Sequence, residues 1–286
     1  MENKELKILK NRIFEHSSWV TNFWFVNNKL FLTEGNYKKI DNHLASIDVE
    51  TLTENLKIKN NLNRNFIAYP LELTLGVNAI SDTDVKINFK NDNVVQNIIY
   101  FNNNYLITFL WQNDSELAAQ SFWFDNEFQQ KEEILQLKNK VIIGQNFDTL
   151  FFANPNDFIC GSFDMKNNMF EQYLFLAKKV ISVGSKILVL DINDCIFELI
   201  DKKLVNILKL PIGLKYIETL DLTSFLISII DDKKTYYYSF KDNELHLFSN
   251  KVFFRMAVYK KKIFVGKPLL NDDGNINYYQ ALEIIY

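Results

Sequence analysis

The sequence predicts an all-β protein of repeated four-stranded units, set as the blades of a β-propeller, and three observations predict it. Short runs of apolar and aromatic residues alternate with Asn/Asp/Lys clusters and show little 3.6-residue periodicity, which argues for strands joined by turns. The 286 residues hold Phe 25 and Tyr 13 but only Gly 8 and Pro 4. Aromatic side chains suit pleated surfaces, and with so little glycine Asn and Asp must supply the left-handed turn positions. The third observation is a ruler: an acidic residue closes the third strand of successive units at Asp48, Asp125, Asp164, Asp201 and Asp242. From Asp125 these lie 39, 37 and 41 residues apart, and Asp48 precedes Asp125 by 77. A period of about 40 residues with four strands apiece is that of propeller blades, small twisted sheets that bury their faces by packing on one another.

The units follow in order along the chain. Leu30 to Leu32, Leu44 to Ile47 and Leu56 to Ile58 form the first. The skipped marker of a second is expected at Phe89-Lys90-Asn91-Asp92-Asn93, which matches Phe240-Lys241-Asp242-Asn243. Tyr105 to Trp111, Leu117 to Phe124 and Glu133 to Leu137 give the next, then Leu150 to Ala153, Phe158 to Phe163 and Glu171 to Leu176. Ile187 to Leu190, Cys195 to Ile200 and Leu204 to Leu210 form another, followed by Phe225 to Ile230, Thr235 to Phe240 and Leu245 to Phe248. The last unit, Val252 to Tyr286, ends on a third strand, Tyr278 to Ile285, so Glu5 to Phe14 is expected to pair with it and close the ring. Seven blades in a single domain over residues 1–286 is the reading. Six is the alternative count, because residues 60–104 offer one strand too few, and a pair of β-sandwiches is the alternative fold.

Leu44-Ala45-Ser46-Ile47-Asp48-Val49-Glu50-Thr51-Leu52 resembles the strand-turn phrase of quinoprotein-type (PQQ-like) propeller repeats. Leu52 stands where those repeats carry glycine, and their later tryptophan is missing. The resemblance covers one unit and implies the propeller class without the cofactor. The Gly-His and Trp-Asp dipeptides of WD40 repeats and the paired glycines of kelch repeats are absent.

Composition restricts function. A net charge of −3 argues against a nucleic-acid binder, and the densest basic patch, Lys260-Lys261-Lys262, reads as a hairpin turn. The charged N-terminal stretch Met1 to Lys7 lacks a signal peptide's apolar core, and no apolar run is long enough to span a membrane; a cytoplasmic location is the expectation. Cys160 and Cys195 lie among apolar residues and are expected as free thiols. None of His16, His43 and His246 is expected at metal-ligand spacing; His43 is placed in a loop and His246 on a sheet surface. Asn271 to Asn277 resembles a calcium loop but lacks the distal Glu, and Asp273-Gly274 is a hairpin signal in its own right. No nucleophile elbow or phosphate-binding glycine motif occurs, so no catalytic residue, metal or cofactor is assigned.

What the repeat concentrates is carboxylates. The turns between second and third strands carry Glu34 and Asp41, Asp114 and Glu116, Asp157, Asp191 and Asp194, Asp231 and Asp232, and Asp272 and Asp273. In a propeller these turns open on one end, where they would attract a basic protein. The competing reading is plain turn chemistry. Trp24, Trp111 and Trp123 are expected in packed strands, whereas Trp19 precedes the first strand as a candidate exposed anchor. The expectation is therefore a non-enzymatic protein-binding module, with a bacterial immunity protein that neutralises a cognate toxin as one identity. Its rivals are a passive scaffold and a hydrolase or lyase acting on a sugar or lactone at the channel. The apolar innermost strands Val141 to Ile143, Val180 to Val183 and Val252 to Met256 count against the enzyme.

Overall fold

Left-handed turn residues fix where the strands stop. Among the described residues, most non-glycine residues at positive φ are Asn or Asp, including Asn27, Asn102, Asn103, Asn139, Asn168, Asp194, Asp201 and Asn243, beside a single such glycine, Gly184. Their short polar side chains tolerate this region and so replace glycine. The computed structural model describes residues 8–12, 18–27, 29–36, 43–48, 54–58, 65–66, 92–113, 116–126, 130–211, 215–229, 232–253, 256–259, 262–270 and 276–285. Among them the only helical turn is the 3-10 turn Leu135–Leu137, and no helix is long and apolar enough to cross a membrane.

The strands in chain order are β1 (Ile8–Arg12), β2 (Ser18–Val26), β3 (Lys29–Asn36), β4 (His43–Asp48), β5 (Glu54–Ile58), β6 (Asn65–Phe66), β7 (Asp92–Phe101), β8 (Asn104–Asn113), β9 (Glu116–Phe124) and β10 (Gln130–Glu133). They continue as β11 (Val141–Asn146), β12 (Thr149–Ala153), β13 (Ile159–Asp164), β14 (Met169–Val183), β15 (Lys186–Asp191), β16 (Cys195–Ile200) and β17 (Lys203–Lys209). The last are β18 (Lys215–Asp221), β19 (Ser224–Ile229), β20 (Lys234–Ser239), β21 (Glu244–Ser249), β22 (Met256–Tyr259), β23 (Lys262–Leu270) and β24 (Ile276–Ile285). Four consecutive strands pair up-and-down in β2–β5, β7–β10, β11–β14, β14–β17 and β18–β21. The sheets are open. β22, β23 and β24 form a run of three to which β1 adds a fourth strand, with Asn11 opposite Glu283 and Arg12 opposite Leu282. This is the pairing expected of Glu5 to Phe14 with Tyr278 to Ile285.

The chain divides into two compact units. Within residues 58–212, β14 serves two ladders. Its first half pairs with β13 and its second half with β15, with an irregularity between Ala177 and Lys179. Ala177-Lys178-Lys179 contains no turn residue, so the outer strand of one ladder runs on as the inner strand of the next. Ladders pack face to face through Ile99, Leu106, Ile134, Leu137, Ile142 and Phe152, and through Leu110, Ala119, Val141, Phe151, Ala177 and Val180. Burying each large apolar side chain is worth about 1.5–3 kcal/mol. In the other unit, residues 1–57 and 213–286, Tyr216 and Leu226 of β18 and β19 pack against Phe253, Met256, Ile263 and Val265.

Polar side chains stitch neighbouring ladders where the core leaves backbone groups over. Buried Gln96 of β7 donates to the Ile142 carbonyl at 2.8 Å and accepts from the Ile142 amide at 3.1 Å. Ser228 of β19 accepts from the Phe253 amide at 2.8 Å, and Thr235 donates to the Lys251 carbonyl at 2.8 Å.

Five sequence expectations need correction. Asp92 opens β7, with Asn65 as its parallel partner, and closes no third strand; the apolar run Val94-Val95 continues directly from it. Residues 67–91, where the doubtful unit would lie, are outside the described residues. Glu133 to Leu137 is not a strand: β10 stops at Glu133, and Ile134 and Leu137 turn inward three residues apart. β22 begins at Met256, so Val252 and Phe253 precede it as buried connector residues. His43 opens β4 opposite Glu34 instead of lying in a loop. Trp19 lies inside β2 opposite Gly35 and does not precede it.

Candidate functional site

The acidic residues that lie among the described residues sit in or beside the turns between second and third strands, and their carboxylates have different work. Asp191 ends β15 and is only 9% exposed. Its Oδ1 accepts the Asn193 amide at 2.9 Å and the Cys195 amide at 2.7 Å, and its Oδ2 accepts from Asn193 Nδ2 at 3.3 Å. Asp194 is 7% exposed, in left-handed backbone, and paired with Lys178 Nζ at 3.1 Å; its carbonyl accepts the Leu210 amide. The Asp191 side chain holds the turn together, and that of Asp194 ties the turn to half-buried Lys178 of β14.

Glu116, Asp157 and Asp232 are exposed. Asp157 accepts the Ile159 amide at 2.9 Å with Oδ1 and Asn154 Nδ2 at 3.3 Å with Oδ2, which leaves its outer lone pairs toward solvent. Asp232 accepts the Tyr236 hydroxyl at 3.3 Å, and exposed Lys233 and Lys234 follow it. Glu116 opens β9 opposite Asn113. Its turn is clasped to that of Asp157, because Asn156 accepts the Leu117 amide and donates to the Leu117 carbonyl, both at 3.0 Å. Two neighbouring ladders thus each carry an exposed acidic residue next in sequence to the clasp. Glu34 lies at the end of β3 opposite His43 and Val20. Asp41, Asp114, Asp231, Asp272 and Asp273 are outside the described residues.

The thiols are free: Cys160 is buried and its pKa is pushed by burial up to about 12, while Cys195 is half-exposed. Tyr173 and Ser162 hydrogen-bond beside Cys160 at 2.9 Å within the core, so the group is a packing device.

Sequence reasoning missed one constellation. Asp242, Glu244 and His246 offer ligand atoms that all lie within 4.8 Å of one another, so His246 does stand at metal-ligand spacing with carboxylates. Their spacing of two is the signal: in a strand, alternate residues share a face. The cluster sits on the β20–β21 hairpin, at the end of the ladder opposite Asp232. Burial alone would raise the Asp242 pKa, but hydrogen bonds from Ser239, the His246 ring and the Glu244 amide outweigh it and hold the carboxyl below its ordinary value.

No family model matches the chain, and no curated protein sequence matches it. Solved structures do. The chain is similar to the β-propeller domain of Cps50 (Swd1) from Myceliophteria thermophila, with 10% identity, a TM-score of 0.53, and coverage of 98% of this chain and 99% of that one. It is also similar to the extracellular domain of the hybrid two-component system BT4673 from B. thetaiotaomicron, with 9% identity, a TM-score of 0.53 and 98% of this chain covered. The match spans 39% of that longer chain. At these identities the likeness is one of fold: the chain is a β-propeller repeat protein.

Proposed function

We propose that this chain is a non-enzymatic module that binds a basic protein through the turns between second and third strands. The observation that carries the reading is the Asn156 clasp, which sets exposed Glu116 beside exposed Asp157 on neighbouring ladders. Carboxylates so grouped speed docking of a cationic partner and fix its register more than they add raw affinity. Asp191 and Asp194 serve the same surface indirectly, by holding its turns rigid. In this reading residues 1–286 form one seven-bladed ring that β1 closes against β24, working in the cytoplasm. The finer identity is an immunity protein that blocks a basic toxin; the chain's acidic balance and its Asn/Asp-built turns support it.

The test is affinity capture from the native host with the unaltered chain and with a triple variant, Glu116→Lys, Asp157→Lys and Asp232→Lys. One basic protein should be captured by the unaltered chain, and both high salt and the triple variant should release it. Equal capture by both chains would overturn the acidic-turn reading, because exposed reversals at these positions leave the ladders intact.

A further inference from the structure

We propose that Asp242, Glu244 and His246 form a binding site for a divalent transition-metal ion, of the zinc class, on the outer hairpin of the β18–β21 ladder. The site is independent of the partner surface above. Its three donors come from one short segment, yet they converge because of how that segment folds. Phe240 to Asn243 make the turn, with Asn243 in left-handed backbone at φ 57° and its amide bonded to the Ser239 carbonyl at 2.8 Å. That turn lifts Asp242 over the start of β21. Glu244 and His246 then alternate along the strand and share the face that Asp242 overhangs.

The arrangement is held before any ion arrives. Asp242 Oδ1 accepts the Glu244 amide at 3.2 Å, and Oδ2 lies 2.9 Å from His246 Nε2. The imidazole stacks on Tyr237, its cross-strand partner, with ring centroids 4.9 Å apart and planes 22° apart. Such stacking fixes the ring's plane and so aims Nε2 at the carboxylates. Asp242 and His246 thus have little side-chain freedom left to lose on binding, and the exposed Glu244 side chain is the one to be ordered by the ion.

The donor set decides the ion. One imidazole nitrogen and two carboxylate oxygens suit zinc and its first-row neighbours; calcium and magnesium prefer all-oxygen shells. Three protein donors complete three corners of a tetrahedron, and water would take the fourth. In the metal-free chain Asp242 Oδ2 and His246 Nε2 face each other directly, 2.9 Å apart.

The experiment uses the full chain, stripped with a chelator, and titrates it with zinc chloride by calorimetry while the ring nitrogens of His246 are followed by NMR. Cobalt(II) serves as a second probe through its visible absorption. One equivalent of zinc is expected to bind and to move the His246 ring signals. His246→Gln and Glu244→Gln should each weaken that event by more than about tenfold, a loss that even outer-sphere changes around a metal can bring. Far-ultraviolet circular dichroism checks that both variants fold; Glu244→Gln keeps the shape of an exposed side chain and preserves the test if the histidine variant does not. If zinc binds the unaltered chain and His246→Gln equally, or leaves the His246 ring signals unmoved, the cluster is a surface ion pair and the proposal is wrong.

Discussion

Replacing Gly144 by alanine drives a methyl group into the backbone of Val180. Gly144 lies in β11 just past the irregularity between Ile142 and Gly144, where β11 crosses closest to the second half of β14. A Cβ there would stand 2.7 Å from Val180 Cβ and 2.8 Å from the Val180 carbonyl carbon, with the carbonyl oxygen nearer still. Carbon atoms rest at about 3.5–4.0 Å, so the two strands must part by about 1 Å. Neither neighbour can rotate away, because two of the atoms are backbone. A gap of that size forfeits roughly a quarter to a half of each dispersion contact between the strands, and Val141, Ile143 and Val180 all pack across it. Overpacking of a well-filled core costs typically 1–3 kcal/mol, and a backbone collision belongs at the upper end, so Gly144→Ala should lose about 3 kcal/mol. Equilibrium urea unfolding followed by circular dichroism measures it. A loss under about 0.5 kcal/mol would refute the close approach of successive inner strands.

Other consequences follow from the same structure. Gln96→Ala leaves the buried Ile142 amide without its partner and should cost about 2 kcal/mol by urea unfolding, whereas loss of an exposed amide would cost almost nothing. Iodoacetamide at pH 8 should modify Cys195 and spare Cys160 in the folded chain, as mass spectrometry of tryptic peptides reads directly, because burial holds Cys160 up at about 12. Asp164 is held below its ordinary pKa by the Asn167 amide and side chain and by the Lys166 amide, and the charge of Lys166 adds to them. A depressed carboxyl stabilises the fold above its unfolded value near 4 and loses that contribution as pH falls through the folded value. Thermal melts from pH 6 down to pH 2 should thus fall less steeply for Asp164→Asn than for the unaltered chain, with the variant less stable at pH 6.

Turn chemistry is local, and that is why so much of the repeat was legible in the chain. Asp48 and Asp164 end third strands, Asp125 and Asp201 directly follow β9 and β16, and Asp242 follows β20 by three residues; Asp164 and Asp242 each bond the amide two residues on, whatever packs above. The same local phrase at Phe89 to Asn93 misled, since Asp92 opens a strand and only the downstream apolar run Val94 to Ile99 distinguishes the cases. Ile134 and Leu137 read equally well as strand or turn; burial against Ile142 and Phe152, set by distant residues, decides for the turn. In the candidate site, sequence could not separate exposed Asp157 from buried Asp191, because the difference lies in amides that only the folded turn presents. The metal cluster was missed for a simpler reason. Histidine spacing was weighed against helix and loop motifs, while Asp242, Glu244 and His246 use the two-residue period of a strand.

The proposed closure of the ring rests on β1, where Asn11 faces Glu283 across an antiparallel pair. Cα atoms of such pairs lie about 4.5–5.5 Å apart, within the range a disulfide spans. The double variant Asn11→Cys and Glu283→Cys, with Cys195→Ser to prevent exchange, should oxidise within single chains under mild conditions. Because the bond would close almost the whole chain, its chain-entropy contribution is large, about 5–6 kcal/mol, and the urea midpoint should rise on oxidation and return on reduction. Thiols that stay free, or that link one chain to another, would contradict the closure of the repeat by its first strand.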